Sequence, residues 1–447
     1  MVKDLTKGNV RPVLWSFTIP MFISVVFQQL YNIADSAIAG RFAGEDALAA
    51  VGASYPITMI FMAIAIGCNV GCAVVISSYF GVGDIRRMKT AISTTLIAST
   101  VLAVALTIFG LLTSSYLMQM MNTPHNIFDA GDIYLKIYIG GMVFLFCYNV
   151  ATGIFTALGD SKTPLYFLIG SSVGNVALDY LFVAVFHFGV SGVGWATFLA
   201  QGIAGILAVI TLLRRVAKLP TGHGKVMLYS KSMLRRIAKI AVPSILQQSF
   251  VSVGNIFIQS LVNSFGSAVI AGYSAAIKLN TFTITSFSTL GNALSSFSAQ
   301  NIGAAKIDRV RKGFRAGTML AWIIAVPFFV LFFFFGNEML RIFMENPTGG
   351  AMKAGMAFLK IVSPFYFIIS LKLLADGLLR GSSAMIGFMV STFTDLILRV
   401  ILAYVFAGLF GSTGIWMAWP FGWIVATTLT LIFYRKLGYK NDKSSDF

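Results

Sequence analysis

What most limits this chain is a succession of apolar segments, each about as long as a bilayer is thick. They fall at about 13–39, 47–80, 90–113, 131–157, 164–186 and 190–213. A basic stretch follows, and six more come at about 237–263, 269–301, 314–336, 354–379, 386–407 and 413–434. A helix crosses the hydrocarbon core with roughly 20 apolar residues, and runs such as VFLFCYNVATGIFTAL supply most of that length. Only helices and closed barrels satisfy their own backbone in lipid. Charged residues make up 11% of the chain, against about 25% in soluble domains. The expected fold is an all-α integral membrane protein with 12 transmembrane helices.

The net charge of +17 is explained by topology rather than by nucleic acid, because cytoplasmic loops collect Lys and Arg. With the N-terminus inside, one side holds Lys3, Lys7, Arg11, Arg86, Arg87, Lys89, the stretch from Arg214 to Arg236, and Lys306 to Arg315. The other holds Arg41, Lys136, Arg341, Lys353 and Lys360. Both termini are therefore expected in the cytoplasm, with the chain in the cytoplasmic (inner) membrane. MVKDLTKGNVRP leads straight into the first span without a small-residue cleavage site, so a retained helix is expected. Cys68, Cys72 and Cys147 sit in apolar segments, with neither zinc-ligand nor disulfide spacing.

The two halves repeat at an offset of about 222 residues. IPMFISVVFQQLYNI faces VPSILQQSFVSVGNI, aligning Pro20 with Pro243 and Asn32 with Asn255. AGDIYLKI faces AGMAFLKI, FTALGDS faces DGLLRGS, and GVGWA faces GIWMA. Six spans per half make the halves parallel repeats about an axis along the membrane normal. The expected division is an N-terminal six-helix bundle over 1–213, a cytoplasmic basic linker over 214–236, and a C-terminal six-helix bundle over 237–447 with a short tail. Transporters place such repeats around a central cavity. A monomer is expected.

Against this background an acid inside a span is costly, roughly 2.5–3.5 kcal/mol by insertion scales. Asp35 is the only charge between Val13 and Ala39, and Asp179, Asp376 and Asp395 are the other acids within spans. None occurs between Asp179 and Asp308, so the polarity is weighted to the first half. At 1.5 Å per residue Asp179 lies about 22 Å from the inner face, a depth that Thr197 shares by its own count. Asn175 is one turn from Asp179 on the same face. Asp35 counts nearer the outer surface unless Pro20 bends its helix. Asp, Asn and Thr oxygens suit a small hard cation, and a buried carboxyl can instead take a proton.

Structural readings stand beside the functional one. An isolated Asp near a helix end is often interfacial. Asp395–Arg399 and Asp376–Arg380 are spaced as i,i+4 pairs that would neutralise each other. Lys278 either snorkels or faces a cavity, and Gln28, Tyr31 and Lys278 are the candidate substrate-cavity residues. His125, His187 and His223 fall in separate loops without HxxxD or HExxH spacing, which argues against an enzyme.

Several stretches together resemble the multidrug and toxic compound extrusion (MATE) transporters over essentially the whole chain. IP with the later ADSAIAGRFAGEDALAAVG is similar to the family's first helix, with Pro20 at its bend. SSYFGVGDIRRMK and SAQNIGAAKIDRVRK resemble its paired loops, and NVALDYLFV followed by GVGWAT its fifth and sixth helices. The resemblance implies a cation site in the N-terminal lobe at Asp35, Asn175, Asp179 and Thr197. NorM-like members carry acids in helix seven and, at the position of Ile369, in helix ten. Neither is present here, so the chain resembles the DinF-like branch more. The implied function is efflux of an organic, cationic amphipathic substrate against H⁺ or Na⁺ by alternating access. No cofactor is expected and no metal beyond Na⁺ at those residues. A flippase for lipid-linked precursors is the alternative, disfavoured by having only Lys278, Lys372 and Arg399 as bases inside spans. An integral-membrane enzyme ranks below it.

Overall fold

In the computed structural model the described residues are 3–38, 42, 45–121, 123–221, 225–344 and 349–440; Arg41 and His223 lie outside them. Among the described residues the chain is helical, with no strand. The helices are α1 (Val10–Ile38), α2 (Glu45–Val82), α3 (Ile85–Met120), α4 (His125–Gly140), α5 (Met142–Ala157), α6 (Lys162–Asp179) and α7 (Gly189–Ala217). They continue as α8 (Lys231–Asn263), α9 (Ser267–Gly303), α10 (Ile307–Phe334), α11 (Gly336–Arg341), α12 (Gly349–Val362), α13 (Tyr366–Gly381), α14 (Met385–Phe410) and α15 (Ser412–Lys440).

Among the described residues ten helical stretches are long and apolar enough to cross a membrane, and α4 with α5 makes an eleventh, bent by 48° at Gly141. The expected twelfth span is α9. Its hydropathy is lowered by Asn280, Thr283, Ser286, Ser295, Ser298, Gln300 and Asn301, all of which the fold buries. The hydroxyls of Thr283, Ser286 and Thr289 donate to carbonyls one turn back in the same helix, which satisfies them without water.

Two compact units divide the chain. The first is Ile19–Ile245 with Met1–Leu5 and Gly303–Ala305; the second is Leu246–Ile302 and Lys306–Phe447 with Thr6–Thr18. These cuts differ from the lobes expected at 1–213 and 237–447. They fall inside α1 and α8, close to Pro20 and Pro243, through which both helices run unbroken. The stretch 214–236, expected as a linker, is tied into the first unit. Lys89 Nζ donates to Leu219 O (2.7 Å) and Thr221 Oγ1 (2.8 Å), Ser230 N to Thr94 Oγ1 (3.0 Å) and Arg236 to the Tyr79 hydroxyl (2.7 Å).

The repeat extends to the turns. After α2 and α5 the chain closes with a bond spanning five residues, Asp84 N to Tyr79 O and Asp160 N to Phe155 O, with Gly83 and Gly159 left-handed. After α9 and α13 the same closure recurs, Lys306 N to Asn301 O and Ala384 N to Leu379 O, but Ala305 and Ser383 hold the left-handed position. The turn thus sets Phe155 against Leu379, three residues beyond the expected match of FTALGDS with DGLLRGS. Asp84 and Asp160 then accept from the backbone N–H of Arg87 and Thr163. Lys306 and Ala384, at the equivalent places, make no such side-chain cap.

The cores differ in kind. In the first unit Phe61, Met118, Leu135, Ile139, Met142 and Phe146 fill the space among α2, α3, α4 and α5. The second unit is built on aromatics: Tyr273 stacks on Trp416 at 5.1 Å, and Phe358 meets Trp416 and Trp419 edge-on at 5.3 and 5.6 Å.

Candidate functional site: a buried acidic cluster

Four helices of the first unit each contribute to one cluster, three of them a pair spaced by one turn. Tyr31 and Asp35 share a face of α1, Tyr134 and Tyr138 a face of α4, and Asn175 and Asp179 a face of α6; Thr197 comes from α7, which packs on both α4 and α6. Asp179 is the last α-helical residue of α6. From Tyr180 to Val185 the chain is wound as a π turn, with Phe186 N donating to Leu181 O at 2.9 Å. Such widened turns recur beside functional groups because they re-aim neighbouring side chains.

The carboxyls of Asp35 and Asp179 lie close enough to interact. Tyr31 borders both of them, together with Tyr134 and Thr197. Tyr134 in turn stacks on Tyr138 with ring centroids 6.4 Å apart. Asp179 is 1% and Asn175 3% exposed. Yet Asp35 Oδ1, both Asp179 oxygens and both polar atoms of the Asn175 amide are buried without a partner of good hydrogen-bond geometry. A buried polar group left this way costs about 1–3 kcal/mol, and two adjacent carboxylates repel unless a positive charge lies between them. The donor set consists of hard oxygens, the kind that holds Na⁺, and either carboxyl can also take a proton. Among the described residues no group of three or more His, Cys, Asp and Glu is arranged to hold a metal ion.

Counting along the sequence set Asp35 shallower than Asp179, but the structure brings them together. A residue count ignores helix tilt and the position at which the bilayer begins. Gln28 is exposed on α1, and Lys278 is exposed on α9 with its ammonium 5.5 Å from the centre of the Phe343 ring. Tyr134 was not anticipated. Its signal lay in the repeat, where AGDIYLKI opposite AGMAFLKI sets Tyr134 against Phe358, so the hydroxyl belongs to the first half alone.

The acids of the second unit behave differently. Asp376 pairs with Lys372 (2.6 Å), not with Arg380, and also accepts from Thr430 Oγ1 (3.3 Å); Lys372 donates to Thr392 Oγ1 (3.3 Å). Arg380 turns to Asn292 Oδ1 (2.9 Å) and lies over Phe388. Asp395 is paired through Oδ2 with Arg399, at 3.8 Å, with the guanidinium over Trp419. Its Oδ1 is buried without a hydrogen-bond partner, but the ion pair supplies the charge that Asp35 and Asp179 lack.

The MatE family profile matches twice, over residues 20–181 and 243–405. The chain is 29% identical over 436 residues to the probable multidrug resistance protein YpnP of Bacillus subtilis (strain 168), covering 97% of this chain and 96% of that one. It is 23% identical to the probable multidrug resistance protein NorM of Thermotoga maritima, covering 95% and 92%. A solved multidrug resistance MATE family transporter of the MOP superfamily, in an outward-facing conformation, superposes with a TM-score of 0.91 at 22% identity, covering 98% of each chain.

Proposed function

Because the chain belongs to the MatE family, the multidrug and toxic compound extrusion transporters, we propose that it is a multi-pass membrane antiporter expelling organic, cationic amphipathic substrates against H⁺ or Na⁺. The observation that carries the reading is the unpartnered polarity of Asp35, Asn175 and Asp179 inside the first unit. The coupling ion binds among these residues, with Tyr31, Tyr134 and Thr197 completing the oxygen set. Binding there favours the conformation that releases substrate, and coupling requires that the ion bind the two conformations unequally. The termini are cytoplasmic, a reading supported by the distribution of Lys and Arg along the chain. The chain falls with the DinF-like branch: α8 carries no acid, and Ile369, where NorM-like members have one, is buried among apolar neighbours. Because Lys372 and Arg399 are neutralised by their own acids, neither is free to meet a diphosphate, which counts against the flippase.

The test uses proteoliposomes preloaded with ethidium, with a pH gradient or a Na⁺ gradient imposed separately. One gradient alone should drive ethidium transport, and it names the ion. Intact protein that moves ethidium under neither gradient contradicts the proposal.

A further inference from the structure

The second unit carries a groove of about 630 Å³ between α10 and α13. Thr318, Trp322 and Val326 line one side, Phe367 and Leu371 the other, and Arg315 stands at one end. The indole of Trp322 donates to Phe367 O at 3.2 Å, which fixes the two sides together. From Arg315 to Val326 the groove follows eleven residues of α10, about 16 Å at 1.5 Å per residue. That is close to one leaflet's share of a hydrocarbon core roughly 30 Å thick.

Its polarity is confined to the Arg315 end. Among the described residues Arg315 has no acid partner, and Arg311, one turn earlier, has only the exposed Asp308 at 3.6 Å. Tyr434 lies within electrostatic reach of both arginines and packs on Phe314 at 5.0 Å, so its hydroxyl is a further polar group at that end. The remaining wall is apolar apart from the Thr318 hydroxyl, which is already bonded to Phe314 O. A ligand that fits must be long, apolar and single-tailed within the groove, and anionic at one end. A cationic amphipathic substrate has the wrong charge for it.

We infer that this groove is a binding site for one anionic phospholipid of the inner leaflet, with an acyl chain along α10 and the phosphate on Arg315. Naming the leaflet rests on the orientation proposed above; binding itself does not, so the test is made where sidedness plays no part.

The full-length protein, purified in a nonionic detergent, is titrated with phosphatidylglycerol or with phosphatidylcholine of the same acyl chains. Native mass spectrometry counts the lipids retained by the parent protein, Arg315→Gln and Thr318→Trp. The parent protein should retain one phosphatidylglycerol with about fivefold preference over phosphatidylcholine, the worth of one basic side chain at a membrane surface. Arg315→Gln should bind the two lipids alike, and Thr318→Trp, which fills the groove and leaves the charge, should lose the retained lipid. Equal retention of both lipids by the parent protein overturns the headgroup assignment. Preference that survives Arg315→Gln overturns the role of that arginine, and preference that survives Thr318→Trp reduces the site to surface charge without a groove.

Discussion

The two family matches begin at residues 20 and 243 and end at 181 and 405, so each polar group of the first unit's cluster has a counterpart in the second. Asp35 corresponds to Ile258, Tyr134 to Phe358, Asp179 to Ala403 and, through GVGWAT opposite GIWMAW, Thr197 to Trp419. All four counterparts belong to the hydrophobic core of the second unit. One repeat fills this place with aromatic and aliphatic side chains, except opposite Asn175, where Arg399 stands paired with Asp395. The other leaves buried oxygens without partners. Where the second unit does bury charge, at Lys372–Asp376, it supplies the opposite charge from one turn away. The contrast shows buried acid held in two ways: by an internal partner, as at Lys372–Asp376, or with its oxygens left open, which on the function proposed above receive the coupling ion.

The largest stability effect should come from carving the first unit's polarity into the second. Trp419→Thr removes a ring packed against Phe358, Trp423 and the Arg399 guanidinium. A loss of about 3–5 kcal/mol is expected for such a cavity, read as a lower denaturation midpoint in detergent. Asp376→Asn should cost nearly as much, about 3–5 kcal/mol, because it strands the Lys372 ammonium in the interior. The double variant Lys372→Met with Asp376→Leu should recover most of that loss. A single variant as stable as the parent would break the distinction between paired and unpaired acids.

How much of this was legible beforehand follows the same division. The spans, the repeat and the Asn175–Asp179 face depend on hydropathy, offset and helical period, all of which a sequence carries. The partner of Asp376 was not legible, because Lys372 and Arg380 stand equally four residues away on either side. Side chains on a helix lean toward its N-terminus, and Thr430 of α15 holds the carboxylate near Lys372. The approach of Asp35 to Asp179 depends on the tilt of α1, which no residue count contains. Nor did the turns between helices announce that the basic stretch after Ala217 docks on α3, since side chain–backbone bonds such as Lys89 to Leu219 leave no periodic trace.

A smaller effect distinguishes the capped turns of the first unit from those of the second. Burial alone would push the Asp160 carboxyl up, but hydrogen bonds, those from Thr163 among them, outweigh it and hold the group below the usual carboxylate range. Arg215 is its ion-pair partner. A lowered native pKa makes the carboxylate stabilising above the unfolded value, and that contribution is lost as pH falls through the native one. The midpoint of unfolding should therefore fall on acidification from about pH 6 to about pH 3, across the ordinary carboxylate pKa of about 3.9, and Asp160→Asn should flatten that dependence. The smallest effect belongs to the turn that lacks glycine. Ser383 sits at φ +57° where Gly159 serves in the first half, so Ser383→Gly should stabilise by about 1 kcal/mol, the cost of a left-handed residue bearing a side chain.

The central claim is that the unpartnered acids of the first unit couple transport to the ion, whereas the paired acid of the second holds structure. The most direct measurement is gradient-driven ethidium transport in proteoliposomes, normalised to folded protein, for Asp179→Asn beside the Lys372→Met, Asp376→Leu double variant. Asp179→Asn should fold as well as the parent and transport no faster than protein-free liposomes, while the double variant should transport at the parent rate. Transport that survives in Asp179→Asn and fails in the double variant would contradict the account.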